Sequence, residues 1–223
     1  RLNQNMNQAF TEDQLRELEK QLSCPSGEFG VELGKNMNES NAGMIFNSVK
    51  FLESNDGDFI LELGHGNCVH LSTLLATAED IKYFGLEISE TMLTEARKIN
   101  ADKKGEFNLY DGQSIPYAED FFDRVLSVNT IYFWTNPNKL IREIERVLKP
   151  GGCCILTFVD KDFAQKMPFV RDRFTLYDQA DLALLLEDTN LRMVETKEWT
   201  DQVKGETGPP IKREYTMIKI KKG

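Results

Sequence analysis

Between residues 58 and 159, short apolar runs alternate with amphipathic stretches, and that alternation restricts the fold more than any other feature of the chain. Asp58–Leu63, Ile81–Leu86, Glu106–Tyr110, Phe121–Val128 and Cys153–Val159 have the length and composition of buried strands. The intervening stretches have helical patterns. Asn67–Ala78 carries Leu71, Leu74 and Leu75, and Ser89 is placed to cap a helix running to about Ala101. Pro137–Leu148 is amphipathic and is stopped by Lys149-Pro150-Gly151-Gly152. Strands joined through helices must run parallel, and a parallel sheet needs cover on both faces. The predicted class is therefore a doubly wound α/β sheet.

The two ends of the chain differ from this pattern. Asp178–Asp188 reads as a helix, and Leu191–Trp199 and Arg213–Ile220 read as strands. The segment between those strands, Thr200–Lys212, carries Gly205, Gly208, Pro209 and Pro210 and no helical pattern, so the strands should pair antiparallel. At the other end, Thr11-Glu-Asp-Gln14 resembles a capping box, with Leu15, Leu18 and Leu22 following at helical spacing. Cys24–Gly34 reads as a loop, and a second helix is expected from about Ser40 to Ser54 with Met44, Ile45, Val49 and Leu52 on one side. This divides the chain into a helical lead-in, residues 1–57, and one α/β unit, residues 58–223.

At 223 residues, with 40% apolar and 28% charged side chains, the chain is long enough for one well-buried core. Its net charge of −9 works against a broad nucleic-acid footprint. No apolar run reaches membrane-span length, and RLNQNMNQAF has no signal-like apolar stretch. The cysteines, Cys24, Cys68, Cys153 and Cys154, form no C-x-x-C pair, and there are two histidines, so a zinc site is not expected. Buried reduced thiols in a cytoplasmic protein are the expectation.

FILELGHGNCVH, residues 59–70, holds the chemistry. A strand runs into Gly64-His65-Gly66, at the carboxyl end where α/β sheets bind ligands. A dinucleotide fingerprint would want Gly or Ala at position 69, where Val69 stands, and Glu62 would oppose two phosphates. A phosphate-free ligand bearing an amine and a ribose fits better. Glu62 can attract the ammonium, Glu87 after the second strand can accept from a ribose diol, and Asp111 after the third can accept from an adenine amino group. An adenosine carrying an amino acid, S-adenosylmethionine, satisfies all three.

These segments resemble the class I S-adenosylmethionine-dependent methyltransferases, in the style of the small-molecule group that includes ubiquinone/menaquinone-biosynthesis enzymes. Glu62-Leu-Gly64-His-Gly66 resembles the family's first motif, Glu87 its ribose ligand, and Asp111-Gly-Gln-Ser-Ile-Pro116 its adenine-side motif. Ser127-Val-Asn-Thr-Ile-Tyr-Phe-Trp134 and Arg146-Val-Leu-Lys-Pro-Gly-Gly152 resemble the segments after strand four and before strand five. The resemblance implies a Rossmann-like seven-stranded sheet with an antiparallel pair at its end. It implies a cofactor site of Glu62, Leu63, Gly64, His65, Gly66, Glu87, Ile88, Met92, Asp111, Gly112, Gln113 and Asn129. Met37 and Asn41 are added from the polar segment Lys35–Asn41, expected to fold over the methionine end, with N-capping by Asn38 or Ser40 as the competing reading. The family's third glycine is replaced by Cys68, whose Cβ disfavours positive φ; a slightly altered loop with retained binding is expected.

Tyr132 and Trp134 are candidates for the acceptor pocket, with core packing as the competing role, and Phe133 is assigned to the core. His65 and His70 are given structural roles, and no residue is assigned as a general base. The D/N-P-P-Y/F segment of many adenine-amine methyltransferases is absent, since Asn129-Thr-Ile-Tyr132 stands after strand four. The expected activity is methyl transfer to a small-molecule acceptor, with no nucleic-acid partner and no defined oligomeric state. A non-catalytic S-adenosylmethionine-binding protein and a nicotinamide-dependent oxidoreductase are the rival classes.

Overall fold

The computed structural model describes residues 10–204 and 209–223. Most of RLNQNMNQAF, and Gly205 and Gly208 of the last linker, lie outside the described residues. Seven strands form one sheet: β1 (Phe59–Leu63), β2 (Lys82–Glu87), β3 (Glu106–Leu109), β4 (Phe122–Val128), β5 (Leu148–Val159), β6 (Leu191–Val203) and β7 (Ile211–Lys222). Their order is β3-β2-β1-β4-β5-β7-β6. β1 to β5 pair parallel, and β7 is antiparallel to both β5 and β6. The chain reverses its direction across the sheet between β1 and β4, which places a ligand crevice at their carboxyl ends.

Two apolar clusters cover the two faces. Period-two alternation sends Leu61, Val125 and Cys154 to one cluster and Ile60, Leu126 and Ile155 to the other. The first face is closed by α5 (Pro137–Val147), through Leu140, Ile141 and Ile144, and by α7 (Gln179–Leu186), through Leu182 and Leu186. The second is closed by α2 (Gly27–Leu52), α3 (Leu71–Leu75) and α4 (Glu90–Ile99). The second half of α2 contributes Met44, Val49, Phe51 and Leu52, so the lead-in shares its core with the sheet.

Several boundaries differ from the sequence expectation. The Thr11 capping box is present and starts α1 (Glu12–Ser23), but the expected loop at Cys24–Gly34 is largely helix, because α2 begins at Gly27. Gly30 and Gly34 do not break α2. They are contact positions where a Cβ would meet the Pro25 backbone at 2.8 Å and the Met92 sulfur at 3.0 Å. Asn38 and Ser40 are therefore mid-helix and cap nothing. The helix expected from Asn67 starts only at Leu71, because Cys68 at φ 51 interrupts helical geometry. Strand β5 starts before the Pro-Gly-Gly turn, and the register jumps from Phe122↔Leu148 to Arg124↔Cys153 to accommodate it. Cys24 is exposed; the other three cysteines are buried, and all four are free.

Asp178 caps α7 by accepting from the Asp181 N–H at 2.8 Å, and Asp181 returns the bond to the Asp178 N–H. Asp178→Ala is expected to lower stability by about 1 kcal/mol, the usual cost of deleting such a cap. Urea denaturation reads this directly; an unchanged midpoint would show that α7 is held by Leu182 and Leu186 alone.

Candidate functional site

The carboxyl ends of β1, β2 and β4, the turn after β3, and the α1–α2 segment enclose a cavity of about 220 Å³. Its floor is the loop after β1. Gly64 has φ 71 and sits where a Cβ would lie 2.4 Å from Thr130 Cγ2, so only glycine lets the chain turn here against β4. The Gly64 N–H donates to the Leu86 carbonyl at 2.8 Å, and the Gly66 N–H donates to Glu87 Oε2 at 2.9 Å. Cys68 takes φ 51, the left-handed geometry that suits glycine. The turn at position 68 is therefore left-handed despite the cysteine's Cβ. Asn100 Nδ2 holds the Cys68 carbonyl at 3.0 Å, and the thiol lies 3.2 Å from the Tyr83 hydroxyl.

Glu87 is buried at the end of β2 and lines the cavity. Its Oε1 accepts from the Ile88 and Ser89 N–H groups at 2.8 and 3.0 Å. Burial pushes its pKa above the ordinary glutamate value, against the pull of those N–H groups and of Gly66. The carboxylate is therefore fixed in orientation and incompletely compensated. Each oxygen has two acceptor directions, which leaves capacity for a diol. Asp111 and Gly112 reach the cavity after β3. Asp111 Oδ1 accepts from Gln113 and Ser114 at 2.8 and 2.7 Å, and those two donors hold its carboxyl below the ordinary aspartate range.

Of the residues expected from the sequence, Gly64, His65, Gly66, Glu87, Ile88, Met92, Asp111, Gly112 and Asn129 line the cavity, as do Met37, Asn41 and Trp134. Glu62, Leu63, Gln113 and Tyr132 do not. Glu62 lies behind the loop, where both its oxygens are 2.9 Å from His70 Nε2 and Oε2 accepts from the Tyr83 hydroxyl at 2.6 Å. Leu63 is packed in the core. Gln113 is spent on the turn through its backbone N–H. Tyr132 is buried, its hydroxyl donating to Asn129 Oδ1 at 2.8 Å and accepting from Val159 N–H, so it braces the wall from behind.

Phe133, assigned to the core from sequence, lines the cavity beside Trp134. Trp134 Nε1 donates to Thr130 Oγ1 at 3.1 Å, which fixes the indole. Leu22 and Pro25 line the opposite wall, and only docking of the α1–α2 segment brings them there. Asn67 was also missed. It is buried, it lines the cavity, and its Oδ1 has no hydrogen-bond partner. Its position directly after the G-x-G was the available signal. An orphaned buried carbonyl in a cavity wall suits a ligand donor such as an ammonium.

The titratable residues among the cavity-lining side chains are His65, Glu87, Tyr110 and Asp111. None is cationic at neutral pH. Burial holds the His65 imidazole at a pKa of about 4, so its ring is neutral. Its Nδ1 is bonded to the Gly66 carbonyl at 2.7 Å, and its ring packs against Phe107 and the Gly85 backbone. It braces the loop from the cavity floor.

Residues 61–156 match the methyltransferase domain family, a span from β1 to β5. The Bacillus subtilis methyltransferase YdaC is 34% identical over 108 residues, covering 48% of this chain and 59% of that protein. The 27-O-demethylrifamycin SV methyltransferase of Amycolatopsis mediterranei is 32% identical over 43% of this chain and 36% of that one. An Arabidopsis thaliana tRNA (carboxymethyluridine(34)-5-O)-methyltransferase is 33% identical over 48% of this chain and 26% of that one. The chain thus spans less than two thirds of each of these relatives. A putative methyltransferase solved in complex with the Haloferax volcanii Trm112 methyltransferase activator superposes with a TM-score of 0.73, covering 85% of this chain and 93% of that one. At 21% identity, that superposition speaks for the fold. The domain match covers the strands whose ends build the cleft, so residues 61–156 are similar to a methyltransferase domain, and the sheet around them has the fold of the superposed structure.

Proposed function

We propose that the cleft binds S-adenosylmethionine and that the protein transfers its methyl group to a small-molecule acceptor. The observation that carries this reading is the buried Glu87 carboxylate in a cleft with no cationic side chain among its described lining residues. Phosphates would be repelled there, whereas ribose hydroxyls and an ammonium would be held. Glu87 would accept from the ribose diol, Gly112 and Asp111 would border the adenine, and Asn67 Oδ1 would accept from the ammonium. Gly64 and Gly66 let the backbone approach the ligand. Met37 and Asn41 would cover the methionine end of the cofactor, and Phe133 and Trp134 would wall the acceptor.

When bound, the cofactor supplies an electrophilic methyl on sulfur, and its sulfur departs neutral. The protein's part is to align acceptor and methyl and to exclude water. The Phe133–Trp134 wall and the Leu22–Pro25 segment enclose that space. The net charge of −9 and the cation-free lining favour a small molecule over a polyanion such as tRNA.

Calorimetric titration with S-adenosylmethionine, S-adenosylhomocysteine and NADH tests the reading. Micromolar binding of the first two without NADH heat is expected. Binding of NADH alone would transfer the site to a nicotinamide cofactor. Cofactor binding without turnover over a broad acceptor panel would favour a non-catalytic binding protein.

A further inference from the structure

Behind the glycine loop lies a buried polar cluster that the proposed chemistry does not use. It consists of Glu62 on β1, Cys68 in the loop, His70 at the loop's exit and Tyr83 on β2. Glu62 precedes Gly64 by two residues, and His70 follows Gly66 by four. The contacts from His70 Nε2 to both Glu62 oxygens, each 2.9 Å, therefore tie the loop's exit to its entrance. Cys68 lies inside the segment so clamped. Its left-handed φ of 51 is a costly geometry for a residue with a Cβ, and it must be held by its surroundings.

We propose that His70 is a positioning residue for the cofactor: its imidazolium, clamped to Glu62, holds the glycine loop in its receiving shape, and losing that charge weakens cofactor binding. The inference rests on the reading that the cleft takes S-adenosylmethionine. Neither Glu62 nor His70 lines the cleft, so any effect on the ligand passes through Gly64, Gly66 and Asn67.

The groups around His70 are Glu62 from β1, which bonds it, Cys68 from the loop, whose sulfur is 4.0 Å from Nε2, and His65 from the loop; Tyr83 from β2 reaches Glu62 and Cys68. His65 is neutral, with its pKa held at about 4. Burial pushes the Cys68 thiol and the Tyr83 phenol upward, so both stay protonated near neutral pH. Glu62 is then the one anion of the cluster. Burial alone would push its pKa up, but the His70 charge and the bonds from His70 and Tyr83 hold it below the ordinary value. Burial would likewise lower the His70 pKa, but the Glu62 charge and the contacts with Cys68 and Glu62 together raise it well above the usual histidine range. The sign follows. The His70 contribution is complete below the ordinary histidine pKa and is lost as pH rises through the raised one. The sensitive window is therefore on the alkaline side.

Linkage makes the test reciprocal: if charging His70 favours the ligand, the ligand must favour charging of His70 by the same factor. The chain has two histidines, so imidazole resonances of 13C-histidine protein can follow both. S-adenosylhomocysteine is the probe, because it carries no sulfonium charge to perturb the titration. Saturation is expected to move the His70 midpoint to higher pH. His70→Gln is expected to bind the probe roughly tenfold more weakly near neutral pH, within the usual range of such couplings. The alkaline loss of affinity beyond that due to the ligand's own amine should disappear in the variant.

An unmoved His70 midpoint in the saturated protein would overturn the proposal. So would a His70→Gln protein that is merely less thermostable, with wild-type affinity and pH profile. If His70→Gln does not fold, the wild-type titration decides alone. Absence of any binding by the wild type would overturn the cofactor reading and this inference together, and it would be seen before the titration began.

Discussion

Glu87→Ala is expected to weaken S-adenosylhomocysteine binding by about 2–3 kcal/mol, roughly 30- to 150-fold, the scale of losing hydrogen bonds to a charged acceptor. The change removes the ribose acceptor, and it also releases Gly66 N–H, which Glu87 holds at 2.9 Å in the glycine loop. Stability should move less than affinity, because two effects oppose each other. Burial raises the Glu87 pKa, so in the empty protein its charge is a cost at neutral pH that alanine removes. Against that, three N–H groups lose their acceptor. Binding should also fall in acid. A raised pKa means that Glu87 takes up its proton at higher pH than an ordinary glutamate, and the protonated acid cannot accept from both hydroxyls. Calorimetry from acid to neutral pH, beside urea denaturation, separates the two quantities. Unchanged affinity in a folded Glu87→Ala protein would move the ribose elsewhere.

Gly64→Ala should cost about 3 kcal/mol of stability and abolish measurable cofactor binding. A φ of 71 costs an alanine roughly 1–2 kcal/mol. The new Cβ would stand 2.4 Å from Thr130 Cγ2, so Thr130 must move. Thr130 is not free to rotate. Its Oγ1 accepts from Trp134 Nε1 and is bonded to Ser127 Oγ, so moving it sacrifices bonds worth about 1 kcal/mol each. Thr130→Ser removes the clashing methyl and keeps the hydroxyl. The double variant should therefore recover the steric share of the loss but not the share due to φ, a coupling that a double-mutant cycle in urea reads directly. A neutral Gly64→Ala would mean that the loop relaxes without cost. A Thr130→Ser background that rescues nothing would place the penalty in the backbone alone.

The parallel strands were legible because each is a short apolar run bounded by polar turns, and all seven strands overlap the predicted runs, although β5 starts five residues early, across the Pro-Gly-Gly turn. The antiparallel end was legible from a linker too rich in glycine and proline for a crossover helix. Helix α2 was misread at its start because Gly30 and Gly34 look like breakers in one dimension. Only the packing of Pro25 and Met92 against them shows why a helix keeps glycine there. Glu87, Asp111 and the glycine loop were legible as cleft-lining residues because strand ends in an α/β sheet have a fixed address.

Glu62 shows where that legibility stops. Its place beside the glycines suggested a ligand contact, but a side chain's partner depends on which face of the strand it leaves and what waits there. His70 and Tyr83 wait there, brought from the loop's exit and the neighbouring strand. The same reason separates Phe133 from Tyr132, adjacent in sequence but sent to opposite sides of the cleft wall by a single 3-10 turn, Ile131–Phe133. Local periodicity and connectivity are enough to give the sheet, its parallel run and reversed end, and the placing of Glu87 at the strand-end cleft. The tertiary structure alone decided that Glu62 is clamped to His70, that Asn67 presents an unpartnered carbonyl, and that Leu22 and Pro25 close the cleft. Each of those depends on packing between segments distant in sequence or on the direction a single side chain takes, and hydrophobic periodicity carries neither.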